Sequence, residues 1–187
     1  MQNKLSKSLL ILALLVSSTV FAADSFESSY RLARSPLIMP NEIKALVKHP
    51  SDDVREALAQ NRKLKSAALL MLAADPSERV RIAVATNLST DTKTFMTLAV
   101  DINKSVKSVV ARFEYVPVEA LAVLAQDKSA EIRLEVARNL NTSVSLLKTL
   151  LSDSDPEVQA IAAHSLERME NEANSADSIK QDQNYLE

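Results

Sequence analysis

Apolar and polar residues along most of this chain recur at a fixed interval of 26 positions. The stretch Asp75 to Leu88, DPSERVRIAVATNL, has echoes that begin at His49, Asp101, Asp127 and Asp153. Aligning them gives five units, Pro40 to Lys65, Ser66 to Asp91, Thr92 to Pro117, Val118 to Ser143 and Val144 to Met169, with no insertion or deletion. Equal units of this length predict a solenoid or an array.

Each unit predicts two helices. The opening helix carries Ile43, Leu69, Phe95, Leu121 and Leu147, then Leu46, Leu72, Leu98, Leu124 and Leu150, then Val47, Ala73, Ala99, Ala125 and Leu151. Their spacing, i, i+3, i+4, is a helical core stripe. The closing helix carries Val54, Val80, Val106, Ile132 and Val158, followed four residues later by Leu58, Val84, Val110, Val136 and Ala162. Beside this face Ala59, Ala85, Ala111, Ala137 and Ala163 do not vary, which predicts a neighbouring helix close enough to exclude a larger side chain. Helices of about two to three turns do not persist alone in water, so stability must come from stacking each unit on the next.

The ends of the helices have their own columns. Ser51, Ser77, Asn103, Ser129 and Asp155 are placed as N-caps that accept hydrogen bonds from free amides, and Pro156 follows at a first helical position. Asn61, Asn87 and Asn139 lie just past the closing helices. In a chain without glycine they are the residues expected to take left-handed helix termini.

Residues 1–22 read as a cleavable signal: Lys4 and Lys7, an apolar run from Leu9 to Val16, and Val20-Phe21-Ala22 before the cut. A spanning helix needs about 20 apolar residues, more than this run offers, so no stable membrane insertion is expected after cleavage. Residues 23–39 read as a linker or N-terminal cap in which Tyr30, Leu32, Leu37 and Ile38 cover the open end of the repeats, and 170–187 as a disordered acidic tail.

The unit resembles the leucine-rich repeat variant, a short relative of HEAT-type repeats, through D-P-S-x-x-V-R-x-A-V-A-x-N at Asp75 to Asn87 and L-x-x-L-A-x-D at Leu121 to Asp127. That resemblance implies an all-α, right-handed α-solenoid, here of five two-helix repeats, used as a binding surface. Some members of the family carry a cysteine-ligated iron–sulfur cluster ahead of the repeats. This chain has no cysteine, so that feature does not carry over.

Composition narrows the chemistry. Without cysteine there is no disulfide or thiolate site, and without glycine there is no glycine-dependent phosphate loop or nucleophile elbow. A net charge of -2 gives no reason to expect nucleic acid. His49 and His164 lie far apart, with no ligand at metal spacing. No catalytic set, cofactor or metal site is therefore assigned. The column Arg55, Arg81, Lys107, Arg133 and Gln159 faces the column His49, Asp75, Asp101, Asp127 and Asp153. It reads either as an inter-unit ion ladder, since partly buried charges need partners, or as a surface for an acidic ligand.

Departures from the template mark the candidate partner-binding residues. On the opening helices the middle units show Leu70 and Met71, Met96 and Val100, and Ala122 and Val123, where the outer units have Lys44, Lys48, Lys148 and Ser152. These positions either pack against adjacent opening helices or form an apolar strip for a partner segment. The third unit reads Arg112, Phe113, Glu114, Tyr115 where others read R-N-L or a close relative, with Lys104 and Lys107 upstream. It is either a recognition spot rich in hot-spot residues or a gap filled by Phe113 in place of an asparagine. The functional expectation is an exported, periplasmic, non-enzymatic scaffold or adaptor that binds another envelope protein or peptide. The alternatives are an accessory that holds a substrate or ligand for an envelope enzyme or cofactor pathway, and weak self-association through the solenoid ends.

Overall fold

The structure is a computed structural model and describes residues 25–184. The signal assigned to 1–22 lies outside the described residues. Among the described residues eleven helices follow one another: α1 (25–33), α2 (Pro40–Leu46), α3 (Asp52–Ala59), α4 (Ser66–Leu72), α5 (Glu78–Ala85), α6 (Thr92–Ala99), α7 (Lys104–Arg112), α8 (Val118–Leu124), α9 (Ala130–Arg138), α10 (Val144–Leu150) and α11 (Pro156–Asn184). The even-numbered helices open the units and the odd-numbered ones from α3 close them, so the chain is an all-α solenoid of two parallel rows. None of the described helices is long and apolar enough to cross a membrane.

The core runs as one cluster along the inside of the stack, between the rows. Leu69, Leu72, Leu98, Leu121, Leu124 and Leu147 of the opening row are fully buried, as are Val54, Val80, Val106, Ile132 and Val158 of the closing row. Each such side chain contributes about 1.5–3 kcal/mol over leaving it in water. The stripe weakens at the ends, where Ile43 and Val47 are half-buried and Leu151 is exposed. Ala59, Ala85, Ala111 and Ala137 are fully buried, while Ala163 is exposed where no further unit stacks among the described residues.

Helices α3, α5, α7, α9 and α11 pack directly on one another, with α5 on α7 the loosest of these contacts. In the opening row close packing occurs at α4–α6 and above all at α6–α8. The small alanine lets the closing row draw together, whereas the leucines of the opening row point into the core.

Several expectations about the ends change. Of the five predicted N-cap side chains, Asp155 takes the amides of Glu157 and Val158, but Ser51, Ser77, Asn103 and Ser129 make no capping bond with theirs. In each of the last four units the aspartate two residues upstream, Asp75, Asp101, Asp127 or Asp153, accepts the cap residue's own N–H. Two of the cap side chains reach sideways instead: Ser77 Oγ donates to Asp52 and Asn103 Nδ2 to Glu78, both in the preceding unit.

No described residue has positive φ, so the asparagines do not form left-handed termini. Asn139, for example, is extended, at φ -69° and ψ 133°. Residues 170–187, expected to be disordered, continue α11 as far as Asn184. That stretch has no proline or glycine to stop the helix, and Arg168 pairs with Glu172 one turn on. Within 23–39, α1 is helical and ends with Ala33 fully buried, 26 residues before Ala59. The segment thus supplies the closing helix of an incomplete unit that covers the first full one.

Candidate functional site

Two ladders join the units. In the first, the guanidinium of Arg55 grips Asp75 of the next unit through Nε at 2.6 Å and Nη2 at 3.0 Å, while Nη1 donates to the carbonyls of His49 and Pro50 in its own turn. Arg81 repeats this on Asp101 and adds Asn103 Oδ1, and Arg133 repeats it on Asp153. Lys107 makes a single contact to Asp127, and Gln159 ends the series by donating to the Asp153 carbonyl. The side chains of these pairs are largely shielded from water. Hydrogen bonding to Arg133 is the main reason the Asp153 carboxyl sits below the ordinary carboxylate range. For Asp127 burial is the largest single influence and pushes the other way. The Lys107 ammonium and the Ser129 amide outweigh it, and the carboxyl is lowered. The ladder reading of the sequence therefore holds, and the cations that form it are occupied within the stack.

In the second ladder, Asn87 Nδ2 donates to the carbonyl of Ala59 at 2.6 Å and to that of Asn61 at 3.1 Å, while its Oδ1 accepts the Ser89 amide. Asn61 does the same to Ala33 and Ser35, and Asn139 to Ala111 and Phe113. Ser165 in the last unit keeps one such bond, from Oγ to the Ala137 carbonyl. Phe113 stands in this column in the third unit. It has no donor, and its ring packs instead between Phe95 and Tyr115, with centroids 5.8 Å from each.

The candidate residues divide by exposure. On the opening row, Met71 is 53% and Val100 69% exposed, and Leu70 is half-buried. Met96 and Val123 are half-buried and pack against the core. Lys104 is tied to Glu131 of the next unit, and Arg112 is exposed. Tyr115 is 61% exposed, and the neighbouring Glu114 carboxylate, as hydrogen-bond partner and then as charge, raises its phenol pKa. The structure does not gather the nine residues into one pocket. Of the apolar and aromatic ones, Met71, Val100 and Tyr115 are left facing solvent.

Among the described residues, shallow hollows indent the surface, three of them on these helices. One of about 370 Å³ lies between α8 and α10, lined by Val118, Ala122 and Leu146 with polar neighbours. The other two adjoin on the closing row. One of about 400 Å³ is lined by Arg34, Pro36, Ala57, Gln60, Asn61, Arg62 and Lys63, and one of about 240 Å³ shares Gln60 and Arg62 and adds Ala83, Thr86 and Leu88.

Among solved structures, the chain is similar to one described as a leucine-rich repeat variant with a novel repetitive protein structural motif, at a TM-score of 0.56 and 22% identity over 72% of this chain. The fold is that of a leucine-rich repeat variant. The chain spans about half of that structure, 53% of its length. No protein-family model matches the sequence, and no curated protein does.

Within the leucine-rich repeat variant frame, three features escape sequence reasoning. Ile102, 94% exposed, occupies the column that holds Pro50 and Pro76, and a single apolar residue in a turn gives no periodic signal. Leu88 and Leu140, also exposed, look like core leucines when read as part of T-N-L and R-N-L. The two hollows on the closing row follow from small floor residues, Ala57 and Ala83, which resemble ordinary close-packing alanines in sequence.

Proposed function

We propose that this protein is an exported, periplasmic, non-enzymatic adaptor that holds a segment of another envelope protein on its opening row. The observation that carries the reading is the set of solvent-facing apolar side chains Met71, Val100 and Ile102, on and just after the opening helices α4 and α6 of the middle units. Solvent-facing apolar side chains grouped on one part of a surface mark interaction sites. Methionine adapts to varied partners, and Tyr115 at the neighbouring turn adds a hot-spot residue type. The helical repeat fold suits scaffolding, because stacked units present extended surfaces. Export rests on the basic and apolar pattern of residues 1–22.

Capture from an envelope extract tests the surface. Met71→Asp and Val100→Asp should each lose the partner retained by the parent protein while keeping its helical circular dichroism. Folded variants that keep every partner rule this surface out. Fractionation of cells expressing the protein tests the location: a shortened chain in the periplasmic fraction is expected, and a full-length chain in the cytoplasm contradicts it.

A further inference from the structure

The two ends of the solenoid carry opposite charge. Residues 25–65 hold eight Lys and Arg against five Asp and Glu, whereas residues 144–187 hold three against nine. The acids near the closing-row hollows are already engaged: Glu27 by Arg31, Asp53 by Arg79, and Glu56 by Arg79 and Gln60. Arg34, Arg62 and Lys63 line the larger hollow, are exposed, and make no ion pair among the described residues. Arg34 only stacks over the Tyr30 ring, at 5.8 Å. The result is a trough crossing α1, α3 and α5, with a floor of Ala57 and Ala83, cations along its N-terminal half and Leu88 at its far end.

At the other end, α11 runs on past the last repeat from Glu170 to Asn184. That extension is roughly 22 Å long at about 1.5 Å per residue. Three adjacent helices spaced about 8–10 Å apart present a trough of roughly 16–20 Å. Length and charge both match. Glu170 and Glu172 at the root of the extension are exposed.

We infer that the trough receives the acidic α11 extension of a second copy of this chain, giving head-to-tail association. The contact is heterologous, so it propagates along a row of copies unless the rotation closes a ring. This surface is separate from the opening-row strip and does not depend on it.

Light scattering of the purified protein against concentration and salt tests the pairing. The expected result is a molar mass that rises above the monomer with concentration at low salt. It should return to the monomer at about 1 M salt, where screening acts within ~3 Å. The triple variant R34E/R62E/K63E and the double variant E170K/E172K should each remain monomeric. All five side chains are exposed, and the Arg168–Glu172 pair lost in the double variant is an exposed i,i+4 contact worth only about 0.2–0.5 kcal/mol, so circular dichroism should change little. Mixing the two variants should restore association, because the reversed charges complement one another again. A parent protein that stays monomeric, a triple variant that still associates, or a mixture that does not, each overturns the inference. Envelope capture by Met71→Asp is read separately, so failure of one surface does not touch the other.

Discussion

The joint between the first and second units and the joint between the second and third are built on the same template, yet only the first has an asparagine threaded through it. Asn87 ties two carbonyls of the unit before it. Phe113, in the matching place, ties none and packs on Phe95. On the closing row the second joint is the looser one, and Arg81 there is the most fully engaged cation of the ladder, holding Asp101, Asn103 and the carbonyls of Asp75 and Pro76. A repeat protein behaves as a line of units with neighbour interactions, so one weak joint sets where the line parts.

The largest effect should come from removing that cation. Arg81→Ala leaves a buried carboxylate without its partner and should cost about 3–5 kcal/mol in urea unfolding. It should exceed Arg55→Ala, whose joint retains Asn87. Equal losses would mean that the asparagine adds nothing.

Acid should act next, on the ladder and on the Asp91 cap of α6, whose carboxyl is lowered by hydrogen bonds from Thr94. Asp127 and Asp153 have folded pKa values below the unfolded value of about 3.9. A depressed carboxyl contributes stability above its unfolded pKa and loses it as pH falls through the folded one. The thermal midpoint should therefore drop on acidification below about pH 4, and Asp153→Asn should flatten that drop. The asparagine ladder carries no titrating group, so Asn139→Ala should lower the midpoint without changing its pH dependence.

Asn87→Ala removes donors from two buried carbonyls and should cost about 1–3 kcal/mol. Phe113→Asn restores the missing donor and loses the ring contacts with Phe95 and Tyr115. Its stability should stay within about 1 kcal/mol of the parent, the balance of one hydrogen-bond pair against an aromatic contact. Smallest of all, Lys107→Arg converts a single contact to a bidentate grip and should gain less than ~1 kcal/mol.

The comparison also shows what could be read from residues alone. The repeat length, the core stripes, the constant alanine and the Arg–Asp ladder are legible because each is a column of one residue type recurring every 26 positions. The role of the asparagines is not, because their partners lie 26 and 28 residues back and local propensity favours a helix terminus. The N-cap column is legible in position but not in its bonding, since the Ser77 and Asn103 side chains find partners 25 residues back, Asp52 and Glu78 in the preceding unit. Continuation of α11 and the half-unit before Pro40 were missed because polar sequence reads as loop when no apolar face is repeated. Of the candidate site, the departures from template are visible, but only packing separates Met71 and Val100, which are exposed, from Met96 and Val123, which are half-buried against the core.

Native-state hydrogen exchange in low urea tests most directly whether the copied columns hold the units together and the third unit interrupts them. Amides of α3 and α5 should open as one block and those of α7, α9 and the start of α11 as another, with the step in protection falling between α5 and α7. In Phe113→Asn that step should disappear. A single opening free energy along the whole closing row, or a step at another joint, contradicts the account.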